Sequence, residues 1–216
     1  MNHRFRDRAE AGRQLAQKLS SDADNCPLEI VLALPRGGVP VAAPIAQMLQ
    51  VPLDLCLVHK LGVPGNSELA MGAIDFLGNR YLNEQVVADF QISPAAIDRV
   101  AALELQELQR REGLYRADRE ELAVRDRIVI LVDDGLATGA TMSAAIEVIR
   151  LQQPAQIVVA VPVGFKSVVD RVRSSVDRVV CLMMPAPFYS IGSWYENFAQ
   201  TTDAEVIALM ARSRAN

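Results

Sequence analysis

Residues 128–142 read IVILVDDGLATGATM, and this stretch decides the fold. Ile128, Val129, Ile130, Leu131 and Val132 form an unbroken apolar, mostly β-branched run, the pattern of a strand buried on both faces. The run delivers two adjacent carboxylates, Asp133 and Asp134, to its carboxyl end. A loop of small residues follows, Ala137-Thr138-Gly139-Ala140-Thr141. Met142, Ala145, Ile146 and Ile149 then recur at helical spacing. In parallel sheets ligands bind beyond the carboxyl ends of the strands. A glycine-containing loop at a helix N-terminus presents free N–H groups and a favourable dipole to a phosphate. Thr138 and Thr141 add hydroxyl donors. Carboxylates repel a phosphate but accept hydrogen bonds from sugar hydroxyls. One turn can therefore read a pentose 5-phosphate, with acids on its diol and amides on its ester. An apolar run ending in Asp-Asp also occurs in Walker B strands, but the G-x-x-x-x-G-K-[ST] loop that would accompany it is absent.

Working outward, residues 156–163 read as a strand, 166–172 as a short helix and 176–184 as another strand. Before the central stretch, Phe5, Ala9, Gly12, Ala16 and Leu19 mark a helix. Residues 29–34 form a short buried strand, broken by Pro35-Arg36-Gly37-Gly38. Ala42, Ile45, Ala46 and Leu49 make one face of the next helix, and 53–58 form a second apolar run ending at His59-Lys60. Strands alternating with helices imply parallel pairing and right-handed crossovers. The expected class is α/β, a parallel β-sheet core flanked by helices. Residues 61–92 are punctuated by glycine and proline, with a hairpin expected around Gly78-Asn79. A charged helix over 94–121 carries the stripe Ile97, Ala101, Leu105, Leu108 and Tyr115, with Gly113 as a place to kink. Residues 185–200 are rich in aromatics. Thr202 and Glu205 have the spacing of a capping box opening a last helix.

The 216 residues suit a single domain, and half are apolar, enough for a sizeable core. The formal charge of −4 sets up no global basic field for nucleic acid or an anionic membrane. No apolar stretch is long enough to span a bilayer. The charged first ten residues do not read as a signal peptide. Cys26, Cys56 and Cys181 are far apart, without C-x-x-C spacing, and Cys56 and Cys181 fall in apolar runs. Inert thiols in a reducing, cytoplasmic compartment are expected. His59 has only the distant His3 for company, which argues against a histidine metal site.

The turn from Val132 to Met142 resembles the phosphoribosyl-diphosphate-binding motif of the type I phosphoribosyltransferases, and especially its adenine-type variant, which also reads Asp-Asp followed by Ala-Thr-Gly. The order of elements from about residue 29 to 184 is similar to that family's core. Nearly the whole chain resembles a bacterial group of predicted phosphoribosyltransferases of unassigned substrate, through Pro-Arg-Gly-Gly at 35–38, Lys-Leu-Gly-x-Pro-Gly at 60–65 and the Pro-Phe-Tyr…Gly…Trp-Tyr tail at 187–195.

The resemblance implies a Mg2+-dependent transfer from 5-phosphoribosyl 1-diphosphate to an acceptor base the sequence does not name. A non-enzymatic regulator binding the same ligand is the alternative. Asp133 and Asp134 would hold the ribose hydroxyls and support the Mg2+, directly or through water. Ala137, Thr138, Gly139, Ala140 and Thr141 would hold the 5-phosphate. Arg36, Gly37 and Gly38 would grip the diphosphate, in a loop that often carries a non-proline cis peptide, here near Arg36. Lys60 is either a cation for the leaving diphosphate or a snorkelling strand-end lysine. Residues 60–92 correspond to a flexible lid, in which Glu68 is a weak candidate base and Asp75 a second acid. Arg110, Arg111 and Arg116 either reach the diphosphate on closure or form a solvated face. Residues 185–200 correspond to a hood, where Phe188, Tyr189, Trp194 and Tyr195 either stack on the acceptor or close the core's edge. Ala137 stands where hypoxanthine- and guanine-type members carry an acid, which argues against a 6-oxopurine acceptor. Partners implied are small molecules and a second copy in a homodimer.

Overall fold

In the computed structural model, which describes residues 4–21, 28–116 and 122–213, the elements alternate as the pattern predicts. Helix α1 (Arg8–Ser21) precedes β1 (Ile30–Ala33), α2 (Gly38–Leu49) and β2 (Leu53–Leu55). The segment between, β3 (Val58–Val63), β4 (Asn66–Asp75), β5 (Arg80–Leu82) and α3 (Glu84–Asp89), leads into α4 (Pro94–Tyr115). Then come β6 (Ile128–Val132), α5 (Ala140–Leu151), β7 (Gln156–Val163), α6 (Lys166–Arg173), β8 (Arg178–Met183) and α7 (Asp203–Arg212).

Five parallel strands form the main sheet in the order β2-β1-β6-β7-β8. β1 and β6 are buried at every residue, as expected of strands covered on both faces. Their alternate side chains sort by face. Val31, Ala33, Ile130, Val132, Val158 and Ala160 pack with α1, α2 and α7. Ile30, Leu32, Val129, Leu131, Val159 and Val161 pack with α5 and α6. From β1 the chain runs outward to β2 on one side, while β6, β7 and β8 build out on the other. The gap between β1 and β6 is thus the topological switch point, where loops diverge and open a crevice. The register pairs Ala33 with Val132, so 35–38 and 133–139 leave the sheet side by side.

The apolar run 53–58 is where the sequence pattern misleads. It is not one strand. The parallel edge ends at Cys56, whose N–H donates to Ala33 O at 2.9 Å. Val58 then begins β3 in a separate antiparallel sheet ordered β3-β4-β5. Cys56, Leu57 and Val58 stay buried throughout this change of sheet, so the run reports burial and not sheet membership. The hairpin expected at Gly78-Asn79 is present between β4 and β5. A second hairpin, between β3 and β4, turns at 64–65. Leu61, Met71 and Ile74 seat this sheet in the core, whereas 64–66 are exposed.

Of the charged helix expected over 94–121, α4 covers Pro94–Tyr115 and passes through Gly113; 117–121 lie outside the described residues. Its stripe is met, with Ile97, Ala101, Leu108 and Tyr115 buried and Leu105 packed against them. The capping box at Thr202 and Glu205 is formed, with Thr202 N–H donating to Glu205 Oε2 at 2.7 Å and Glu205 N–H to Thr202 Oγ1 at 3.2 Å. No helix among the described residues is long and apolar enough to cross a membrane.

Candidate functional site

The two loops the sequence singles out, 35–38 and 133–139, meet at the switch point. The β6 loop is pinned just past its acids, where Leu136 N–H donates to Val163 O and Phe165 N–H to Leu136 O, each at 2.9 Å. Residues 137 and 138 stand exposed beyond that anchor. Gly139 closes the loop with φ 75°, a left-handed conformation that other residues adopt at a cost. It caps α5 with no side-chain hydrogen bond. The first-turn amides of α5, which have no intrahelical acceptor, are therefore offered to a ligand together with the Thr138 and Thr141 hydroxyls. Thr138 Oγ1 reaches back only weakly, to Ala140 N–H at 3.4 Å.

Asp133 is half-buried and Asp134 buried. Asp133 Oδ1 accepts the Asp134 N–H at 2.8 Å. Burial pushes the Asp133 carboxyl well above the usual carboxylate range, and the neighbouring Asp134 charge adds to the effect. Asp134 is raised by burial too, opposed by the guanidinium of Arg8. Arg8 Nε donates to Asp134 Oδ2 at 2.8 Å, and Tyr195 Oη donates to the Asp134 carbonyl at 2.7 Å.

The loop at 35–38 faces these acids at contact distance. Pro35-Arg36 is a cis peptide, the non-proline cis bond expected there. An added Cβ on Gly37 would fall 2.1 Å from Asp134 Oδ2, and one on Gly38 would fall 2.5 Å from Val132 O. Glycine at both positions is what lets the two loops approach. Arg36 is paired with Asp203 at the start of α7, Nη1 to Oδ1 at 3.6 Å. Asp203 also meets Arg110 Nη1 at 3.5 Å and accepts a hydrogen bond from Tyr115 Oη. That bond and the two cations hold the Asp203 carboxyl below its usual range, while burial first, then Asp203, pushes the Tyr115 phenol up to about 12.

The other basic residues separate. Arg116 is a core residue, neither a solvated cation nor one within reach of a diphosphate. It is 2 % exposed, donates to Leu55 O at 3.0 Å, and stands 3.6 Å from Asp54 and 3.3 Å from Glu112. Burial there raises the Glu112 carboxyl, against the pull of Arg116. Arg110 and Arg111 both grip Glu107, whose carboxyl they hold down to about 2. Arg111 also reaches His59 Nε2 at 3.3 Å, and His59 Nδ1 lies 2.7 Å from Glu104 Oε2. Burial lowers the His59 pKa. In the neutral ring Nδ1–H donates to Glu104 and Nε2 accepts from Arg111, so this histidine ties β3 to α4. Lys60, expected at a strand end beside the cleft, lies inside β3 opposite Ala73; the split of the 53–58 run moves it to the antiparallel sheet. Asp75 accepts from Asn79 and Tyr81 and belongs to the β4–β5 turn. The Glu68 side chain, Cys26 and His3 lie outside what is described. Among the described residues no three His, Cys, Asp or Glu side chains cluster as a metal site would.

The aromatic tail divides as well. Tyr195 is buried against Phe5 and Phe198, with ring centroids 5.5 and 5.0 Å away. Phe188 packs on Phe165 at 5.8 Å, Trp194 is half-buried, and Tyr189 is 83 % exposed. Of the two cysteines described, Cys56 is buried, and burial pushes the Cys181 thiol up to about 11.

Sequence reasoning missed three residues of this site: Arg8, Asp203 and Arg171, whose Nη2 donates to Thr138 O at 2.6 Å; Tyr195, one of the aromatics the sequence singles out, closes the core's edge and donates to the Asp134 carbonyl. Arg8 is 126 positions from Asp134, and no local pattern reports so distant a pairing. Asp203 had a visible sign, an acid in a capping-box turn, but its cationic partners come from elsewhere in the chain.

The fold defines an open, parallel-sheet α/β protein whose two sequence-singled loops leave the strands' carboxyl ends side by side. Residues 3–193 match the phosphoribosyl transferase domain family, and the chain belongs to that family. Relatives from two strains of Mycobacterium tuberculosis, whose names place them provisionally among the phosphoribosyl transferases, are 47% identical over 209 residues, covering 97% of this chain. The match takes in 47% of each relative, so the chain spans about half the length of the curated relatives it matches. A crystal structure of a Thermus thermophilus protein superposes with a TM-score of 0.87 at 40% identity, covering 97% of this chain and 98% of that one.

Proposed function

We propose that this chain is a Mg2+-dependent phosphoribosyltransferase that uses 5-phosphoribosyl 1-diphosphate. The observation that carries the reading is the single turn after β6. It carries two adjacent carboxylates and, a few residues on, a helix N-terminus without a side-chain cap, a combination that supports a sugar-phosphate reading. Asp133 and Asp134 hold the ribose diol, and 137–141 hold the 5-phosphate through backbone amides and threonine hydroxyls. The Gly37 and Gly38 backbone admits the diphosphate, and Arg36 exchanges Asp203 for it, a charge-assisted contact.

Bond breaking at C1–O leaves negative charge on diphosphate, and a nitrogen nucleophile of the acceptor forms the new bond to C1. Positioning and electrostatic support of the leaving group supply most of the catalysis. Both acids are hard-oxygen donors, and with no larger donor cluster among the described residues they fit an ion that takes most of its oxygens from ligand and water. Mg2+ held there would neutralise diphosphate charge. The turn of the β3–β4 hairpin is the exposed part of the expected lid, and its closing over the ligand would exclude water. Exposed Tyr189 and half-buried Trp194, whose ring N–H has no hydrogen-bond partner among the described residues, are the acceptor-stacking candidates with Phe188.

The test is diphosphate release from Mg2+-phosphoribosyl diphosphate with a panel of nitrogenous bases. Release that depends on one base, lost in Asp134→Asn, supports a transferase and names its acceptor. Tight binding with no release under any base marks a regulator, and release without a base marks a hydrolase. Absence of binding refutes the reading.

A further inference from the structure

The N-terminal segment is joined to the C-terminal tail immediately beside the acid pair. Phe5 N–H donates to Trp194 O at 2.9 Å, Glu196 N–H to Phe5 O at 2.8 Å, and Asn197 N–H to Arg6 O at 2.9 Å. This small parallel seam delivers Arg8, in the first turn of α1, to the Asp134 carboxylate. Three contacts fix its guanidinium. Nε donates to Asp134 Oδ2 at 2.8 Å, Nη1 donates to Ala199 O at 2.7 Å, and the plane stands 3.9 Å from the centre of the Phe198 ring. Both side chains of the ion pair are largely buried, Arg8 at 11% exposure and Asp134 at 12%.

From this geometry we infer that Arg8 is a positioning residue for sugar recognition, one that holds the Asp134 carboxylate on the ribose diol through a clamp built from both ends of the chain. The inference rests on the sugar-phosphate reading of the β6 turn. Two adjacent carboxylates at one turn repel each other, and one without a cation behind it would turn away. Arg8 supplies the compensating cation from behind. Its Nε occupies Oδ2 and leaves Oδ1 to accept from a hydroxyl. The guanidinium cannot follow the carboxylate elsewhere, because the Ala199 carbonyl and the Phe198 ring hold its other edge and its face. Tyr195, from the same tail, fixes the Asp134 main chain. Lysine would keep the charge but lose the planar fork that satisfies Asp134 and Ala199 together.

The test compares ribose 5-phosphate with 2-deoxyribose 5-phosphate by titration calorimetry. Both carry the same phosphate, so their affinity ratio isolates the hydroxyl that a clamped carboxylate would recognise. In the wild-type protein the ribose ester is expected to bind about 10-fold more tightly, the worth of one hydrogen bond to a charged group. Arg8→Met should collapse the ratio towards one, and Arg8→Lys should restore part of it. A purely structural role would weaken both ligands in parallel and keep the ratio, which overturns the inference, as does an unchanged ratio in a well-folded Arg8→Met. Should Arg8→Met fail to fold, Arg8→Lys carries the test, and a full wild-type ratio there overturns the requirement for the fork. A wild-type protein that binds both esters equally overturns the clamp while leaving the phosphate site standing. One that binds neither overturns the phosphoribosyl reading itself.

Discussion

Replacing Gly37 with alanine puts a methyl group where Asp134 already stands. The new Cβ would lie 2.1 Å from Oδ2 and 2.7 Å from Cγ, where ordinary contact begins at 3.4 Å. The backbone is not the obstacle, since Gly37 has φ −61° and ψ −33°, a right-handed conformation alanine accepts. The clash is therefore the whole effect. Relief requires the carboxylate to retreat by roughly 1 Å, away from the contact minimum. It has little room to do so, held by Arg8 Nε at 2.8 Å and, through its own main chain, by Tyr195 at 2.7 Å. Overpacking of this kind costs about 1–3 kcal/mol. Because the displaced carboxylate also carries Oδ1, the proposed diol acceptor, affinity for Mg2+-phosphoribosyl diphosphate should fall by a similar amount, about 5- to 150-fold. Titration calorimetry measures that loss, and a crystal structure of the variant shows whether Asp134 has moved. Wild-type affinity with Asp134 in place would refute the close approach of the two loops.

Other outcomes follow from the same geometry. Asp133→Asn should raise the melting temperature at neutral pH while weakening ligand binding. A carboxyl whose folded pKa is raised is stabilising when protonated and loses that contribution as pH climbs from the ordinary carboxylate value through the raised one; calorimetric melting checks it, and a lower melting temperature contradicts it. For the same reason, ligand affinity in the wild type should begin to fall on acidification at a pH above the ordinary carboxylate range. Arg116→Ala strands Asp54 in the core beside half-buried Glu112 and should cost about 3–5 kcal/mol in urea denaturation; a surface-like loss of a few tenths would show the Arg116–Asp54 pair is not a buried ion pair. Thr138→Val should weaken phosphate binding by about 1 kcal/mol with no change in melting temperature, since the exposed hydroxyl makes only one weak bond in the free protein.

What the sequence made legible was whatever a contiguous pattern encodes. The run from Ile128 to Val132, the acid pair and the small loop each report local physics, so β6, its turn and α5 were readable together. The capping box at Thr202 was readable for the same reason. Pairings across the chain were not. Arg116 looked like one more cation on a charged helix until Asp54, in the middle of β2, was found opposite it. His59 looked isolated because Glu104 and Arg111 lie 45 and 52 positions further along the chain. The run at 53–58 hid a change of sheet, because burial stays continuous across it. Arg8 left no sign at all, since its value comes only from where the Phe5 seam places it.

The central claim is that the turn after β6 holds a phosphorylated pentose. The most direct measurement is a crystal of the wild-type protein soaked with 5-phosphoribosyl 1-diphosphate and Mg2+. The account predicts the ribose hydroxyls on Asp133 and Asp134 and the 5-phosphate against the amides of 137–141. Density for the sugar phosphate elsewhere, or none at saturating ligand, would contradict it.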